Sequence, residues 1–175
     1  ANEATAWGVI GAASGALSAA LGEVSGKSIL VHGTGQVGST TARVLAEAGA
    51  DVYTFDKIPE RAEIAGCTNL SHLTTAEFLQ RSCDLLIPCS IANLLTEENV
   101  PQLGCKMVVS AANLPFATPC ARADAHAQGI LFWPESICSA GAVILDSVEM
   151  YNNAEYCAAE PVEIYEFVAE LTKKK

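Results

Sequence analysis

Gly33, Gly35 and Gly38 make a G-x-G-x-x-G arrangement directly after the apolar run "SILVH" and running into "QVGSTTARVLAEAG", whose third residue is Gly38. Each glycine answers a separate physical demand: Gly33 permits a tight turn, Gly35 lets backbone approach a pyrophosphate, and Gly38 lets a helix lie close on a strand. Gln36 and Val37 then open a helix whose first N–H groups have no intrahelical partner and suit a diphosphate. Asp56 closes "DVYTFD" 23 positions after Gly33, close to the spacing of about 20 at which an acid meets ribose hydroxyls. The combination reads as a dinucleotide site, against the plainer alternative of a structural glycine turn. A carboxylate at Asp56 repels a 2′-phosphate and favours NAD over NADP. Lys57 beside it pulls the other way, or is a solvated surface lysine.

No catalytic group accompanies this site. Acid–base work needs a positioned side chain with a tuned pKa. Lys27 and Lys106 each precede a strand, Lys57 lies on the adenosine side, and His72 and His126 fall in a loop and on a surface helix pattern. Cys138 beside Ser139 is a conceivable nucleophile with no assignable base, and a buried inert thiol is the competing reading. His32, just before the glycine turn, reads as a core histidine. The seven cysteines, Cys67, Cys83, Cys89, Cys105, Cys120, Cys138 and Cys157, form no CxxC pair. They suit free, mostly buried thiols in a reducing compartment, cytoplasm or organelle stroma or matrix, and no zinc site.

The elements that must hold the glycine turn alternate along the chain. A helix capped by Thr5 or an earlier polar residue runs to about Leu21. Strands are expected at "SILVHG", "DVYTFD", "CDLLIPC", "KMVVSAAN" and "GILFWP", and helices at "QVGSTTARVLAEAG", "PERAEIAG", "TAEFLQRS", "PCARADAHAQG", "AGAVILDSVEMYNNAEYC" and "PVEIYEFVAELTKK". Strands separated by helices pair in parallel through right-handed crossovers. The fold class is therefore α/β: a doubly wound, mostly parallel Rossmann-type sheet flanked by helices, in one domain spanning 1–175.

The formal charge of −10 over 175 residues argues against nucleic acid, because phosphate attraction needs clustered Lys and Arg. The one basic run, Lys173, Lys174 and Lys175, reads as a solubilising tail. The apolar start "WGVIGAASGALSAALG" is broken by Gly and Ser and reads as a packed helix, with no direct membrane insertion.

Six motifs in order, "TAWGV", "GTGQVG", "TFD", "CDLLIPCS", "MVVSAAN" and "WPESICSAGAVI", resemble the cofactor domain of leucine, valine and phenylalanine dehydrogenases within the glutamate dehydrogenase-like superfamily. The resemblance covers about 1–153, leaving 154–175 as a C-terminal helix. It implies NAD binding for reversible oxidative deamination of an apolar amino acid. It would place Thr5 near the nicotinamide crevice, Cys89 and Ser90 toward the adenosine, and Asn113 at the nicotinamide ribose. Read without the family, these are a helix cap, a small buried hydrophobe and an Asx-turn residue. Ser139 stands where the family has the Asn of N-A-G-G-V, so an amide has become a hydroxyl, and Ala142 adds a methyl.

In the family the proton chemistry belongs to lysines and an aspartate on a separate N-terminal domain, to which no stretch of this sequence corresponds. Two expectations follow: a cofactor domain needing that lysine-bearing partner, or a silent structural or sensing subunit of a larger assembly with NAD retained or vestigial. A stripe of Ile164, Phe167, Val168 and Leu171 on the last helix suits docking to a protein partner, or packing on its own sheet.

Overall fold

In "SILVH" the apolar side chains have no polar alternation because both faces of the strand are covered. Ile29 and Val31 enter one core layer with Leu45, Val52, Leu85, Ile87 and Met107, while Leu30 enters the opposite layer with Phe55, Phe78, Leu86 and Val108. This period of two, repeated on each neighbouring strand, builds a sheet buried on both sides.

The computed structural model describes residues 1–174; Lys175, the end of the basic run, lies outside the described residues. The strands are β1 (Ser28–His32), β2 (Asp51–Phe55), β3 (Cys67–Asn69), β4 (Cys83–Pro88), β5 (Cys105–Val108) and β6 (Leu131–Phe132). The helices are α1 (Asn2–Ala20), α2 (Gln36–Glu47), α3 (Thr75–Leu79), α4 (Pro119–Ala127), α5 (Glu135–Cys138), α6 (Gly141–Tyr151), α7 (Asn153–Ala158) and α8 (Pro161–Lys173). The strand order is β3-β2-β1-β4-β5-β6, and every pairing is parallel. This is the doubly wound Rossmann order, with its switch point between β1 and β4.

α1 is buried nearly all round, with Ala4, Val9, Ala13 and Leu17 fully enclosed. It lies against the sheet on one side and against α8 on the other, where Ile164, Val168 and Thr172 are buried. The opposite end of the sheet from the glycine turn is tied by Asp84, which accepts from the Ser28 N–H at 3.0 Å and pairs with Lys106 at 2.7 Å. Lys106 is thus structural. Among the described residues, no helix is long and apolar enough to cross a membrane.

Four local expectations are corrected. α1 begins at Asn2, so Thr5 lies inside the helix and donates to the Ala1 carbonyl at 3.1 Å rather than capping it. "PERAEIAG" makes only a 3-10 turn, Pro59–Ala62, because the chain must then extend to form β3, which pairs Cys67 with Val52. The long helix expected over 140–157 breaks into α6 and α7 at Asn152, with φ −129° and ψ 45°. The thiols are less buried than expected: Cys83, Cys105 and Cys138 are buried, Cys67 and Cys89 half-buried, and Cys120 and Cys157 exposed.

Candidate functional site

At the switch point the chain leaves β1 through Gly33, whose φ of +93° lies in the left-handed region open to glycine. Its N–H donates to the Phe55 carbonyl at 2.7 Å, holding the turn on the end of β2. A methyl added at Gly38 would sit 1.9 Å from the Gly33 carbonyl oxygen, which explains the third glycine by direct packing. Gly35 is different: among the described residues nothing lies within 4 Å of where its side chain would be, and its φ is −66°. That glycine is demanded by no protein neighbour and no backbone angle. It leaves an uncovered surface at the mouth of α2, whose first turn has neither a capping side chain nor an acidic residue. The unpartnered N–H groups there suit an anion.

Asp56 faces the same hollow. Its Oδ2 accepts from the Thr34 N–H at 2.8 Å and the Thr34 hydroxyl at 3.3 Å, and its Oδ1 accepts from the Ile58 N–H at 2.9 Å. A carboxylate offers about four acceptor sites, so one site on Oδ1 remains for an outside hydroxyl. Partial burial works to raise its pKa, but the donors from Ile58 and Thr34 and the charge of Arg61 outweigh it and hold the pKa below the ordinary value. The group is an anion at neutral pH.

The hollow, about 360 Å³, is lined by Gly33, Gly35, Asp56, Cys89 and Ser90, five of the ten positions expected from sequence. Gln36, Val37 and Gly38 form the adjoining first turn of α2. Asn113 sits in an exposed loop after β5, outside this lining. Ser139 also lies outside it, its hydroxyl donating to the Glu135 carbonyl at 2.6 Å. Cys138 is fully buried, and burial pushes its thiol up to about 11, so no thiolate is available at neutral pH. Cys89 is held up to about 12 by burial in the same way.

Sequence reasoning missed the walls given by Phe55, Ile58, Arg61 and Ile91, and the part played by His32. His32 is stacked on Phe55 with centroids 4.9 Å apart, and its Nδ1 is 2.7 Å from the Ser90 Oγ. Its Nε2 is buried with no partner among the described residues, so it is a half-satisfied core histidine rather than a fully satisfied one. The bond spans β1 to the loop after β4 and holds Ser90 against Gly33.

Burial is the main cause that lowers the His32 pKa from 6.5 to about 4. As pH falls below 6.5 the unfolded chain takes up a proton that the folded chain refuses until about pH 4. Stability is therefore expected to drop across that window by roughly 3 kcal/mol, since a tenfold change in proton affinity is worth about 1.36 kcal/mol. Melting temperatures of the protein and of His32→Gln over this range check it: the wild-type curve should slope and the variant's should be flatter. Equal slopes would place the acid sensitivity elsewhere.

The model of the glutamate/leucine/phenylalanine/valine dehydrogenase family matches residues 56–174. That of the D-isomer specific 2-hydroxyacid dehydrogenase NAD binding domain matches residues 4–100. The NAD-specific glutamate dehydrogenase of Staphylococcus aureus is 32% identical over 91% of this chain and 43% of its own length. The NADP-specific glutamate dehydrogenase of Saccharolobus shibatae is 27% identical over 85% of this chain and 40% of its own. The chain spans about two fifths of the length of these curated relatives. The solved L-tryptophan dehydrogenase from Nostoc punctiforme shares the fold at a TM-score of 0.83 and 22% identity, covering 99% of this chain and 52% of that one. An all-parallel sheet with an uncovered glycine turn, matched over more than half its length by the first of these models, leads to one conclusion: the chain belongs to the glutamate/leucine/phenylalanine/valine dehydrogenase family and is an NAD-binding domain of the dehydrogenase type.

Proposed function

We propose that this chain holds NAD(H) for the reversible oxidative deamination of an amino acid, and that it is catalytically silent until a separate lysine-bearing domain closes over the nicotinamide. The observation that carries the reading is the pairing of the uncovered Gly35 with the ionised Asp56 in one hollow. The α2 N-terminus and Gly35 would receive the diphosphate, and the free site on Asp56 Oδ1 the adenosine ribose. Ile58 and Ile91, 45% and 54% exposed, offer apolar walls to the adenine. When bound, the nicotinamide supplies hydride transfer.

The proton chemistry has no evident owner among the described residues of this chain. Lys106 is engaged with Asp84, and Lys57 lies on the adenosine wall. Mixing the chain with a lysine-bearing domain from a related dehydrogenase should give amino-acid-dependent NADH formation that neither part gives alone. Binding of NADH without such activity in any pairing would count against the enzymatic half of this reading.

Asp56→Asn tests the cofactor half. It keeps the shape but removes the charge and forces an amide among backbone donors. NADH affinity is expected to fall roughly tenfold to a hundredfold, as loss of a charged hydrogen bond costs about 1.5–3 kcal/mol. Calorimetric titration reads this directly, and an unchanged affinity would remove Asp56 from the site.

A second reading, a silent subunit recruited to a larger protein assembly in a reducing compartment, is favoured by Ser139. Its hydroxyl is consumed within its own helix turn, where the family resemblance implies an amide free for cofactor or substrate. Under this reading no pairing restores turnover, and titration with NADH separates a cofactor-sensing subunit, which binds it, from a structural one, which does not.

A further inference from the structure

The last three helices carry a surface that the dinucleotide site does not use. Between the end of α6, α7 and α8 runs a groove of about 230 Å³, with Val148, Tyr156, Ile164 and Phe167 among its lining and Glu155 and Glu163 at its sides. None of these residues lines the dinucleotide hollow. Phe167 is 48% exposed although its neighbours Ile164 and Val168 are buried against the body of the fold. The expected apolar stripe of α8 therefore divides: one edge packs inward, and the other faces solvent. Outside the groove's lining, Met150 and Tyr151 on α6 and Val162 on α8 are also 72%, 79% and 51% exposed. Apolar surface gathered in this way marks an interaction site more often than scattered single residues do.

Charge selects the occupant. From Gly141 to Lys173, the span of the three helices, the sequence carries seven carboxylates against one lysine, Lys173, which sits at the far end of α8 and pairs with Glu170. A second copy of this chain would bring the same charge onto itself, and an anionic membrane or a nucleic acid would be repelled. A groove between helices lined by apolar side chains and two carboxylates suits the apolar anchor and flanking cations of an amphipathic helix. We infer that this groove docks a lysine- and arginine-rich amphipathic helix of a partner protein. The inference stands whether or not NAD is bound, because the two surfaces share no residue.

The test uses the whole chain and a fluorescein-labelled peptide of leucine and lysine at amphipathic spacing, about four turns long so that it can hold a helix. Fluorescence anisotropy should show saturable binding that weakens with salt. Phe167→Asp should weaken it at least about tenfold, which is about 1.4 kcal/mol, and Phe167→Leu should restore it. Glu155→Lys should also weaken it, and this exposed substitution covers the case in which Phe167→Asp fails to fold. Glu98→Lys, which removes the same charge beside a different cavity, should leave binding unchanged. Unaltered melting temperature and NADH affinity certify each variant. Four results would overturn the inference: no saturable binding, equal binding of a leucine–glutamate peptide, equal losses at Glu98 and at Glu155, or self-association of the chain that Phe167→Asp abolishes.

Discussion

Gly35→Val is expected to abolish dinucleotide binding while leaving the fold as stable as before. Most substitutions at a glycine-rich turn mix two effects, because the same residue serves the backbone and the ligand. Gly33 shows the mixture: its φ of +93° strains any L side chain, and an added methyl would meet the Ser90 Cβ at 2.5 Å. Gly35 separates the two. Its φ of −66° is open to any residue, and its side-chain direction meets nothing within 4 Å. A branched side chain there disturbs no protein neighbour, but it fills the space through which a diphosphate would approach the first turn of α2. The expected loss of NADH affinity is at least about 100-fold, or about 3 kcal/mol, with a melting temperature in the absence of ligand unchanged within error. Two measurements on one variant, titration and thermal melting, decide the matter. Retained affinity would mean that the diphosphate does not cross Gly35, and the proposed cofactor path would fall with it.

The glycine turn and its acid are legible in the sequence because they belong to one strand–helix–strand unit, in which a fixed spacing maps onto a fixed geometry. The covering of the sheet is legible too, since uninterrupted apolar runs such as "SILVH" and "CDLLIPC" fit strands buried on both faces. What stays hidden depends on register between distant strands. His32 and Ser90 are 58 positions apart and meet only because β1 and β4 pair His32 with Pro88. Ile58, Arg61 and Ile91 become walls of one hollow by the same route. β3 is invisible for another reason: its three residues, Cys67–Asn69, are too few to show a period, and pairing with β2 makes them a strand. The break at Asn152 carries neither proline nor glycine, and the pair Asn152 and Asn153 is a weaker stop signal than either. α8 is half legible, because its apolar stripe is plain but the division of that stripe between α1 and solvent is a tertiary fact.

Gly11→Ala carries the second large expectation, and it concerns stability rather than binding. Gly8, Gly11 and Gly15 recur at intervals of three and four residues along α1 and so lie on one stripe of the helix. A methyl at Gly8 would come within 2.9 Å of the Gly141 nitrogen, at Gly11 within 2.1 Å of both the Ala169 carbonyl oxygen and the Thr172 Oγ1, and at Gly15 within 2.4 Å of the Lys173 carbonyl oxygen. The stripe thus lets α6 and α8 approach α1 at backbone distance. At Gly11 the obstacle is backbone, which has no rotamer to turn aside, so α8 must shift as a body and open the contacts of Ile164 and Val168. Alanine is the better helix former by about 1 kcal/mol, yet overpacking of this kind typically costs about 1–3 kcal/mol and occasionally more. Because the clash is with main chain, the cost is expected to exceed the propensity gain. The net loss should lower the melting temperature by several degrees, at about 2–4 °C per kcal/mol for a chain of this size. NADH affinity of the folded variant should stay within about twofold, since distant sites without shared partners act independently. An unchanged or raised melting temperature would show that propensity wins and that α8 is held loosely. In that case the C-terminal helices would be free to lift away from α1, and the acidic groove they form would not be a fixed feature of the domain.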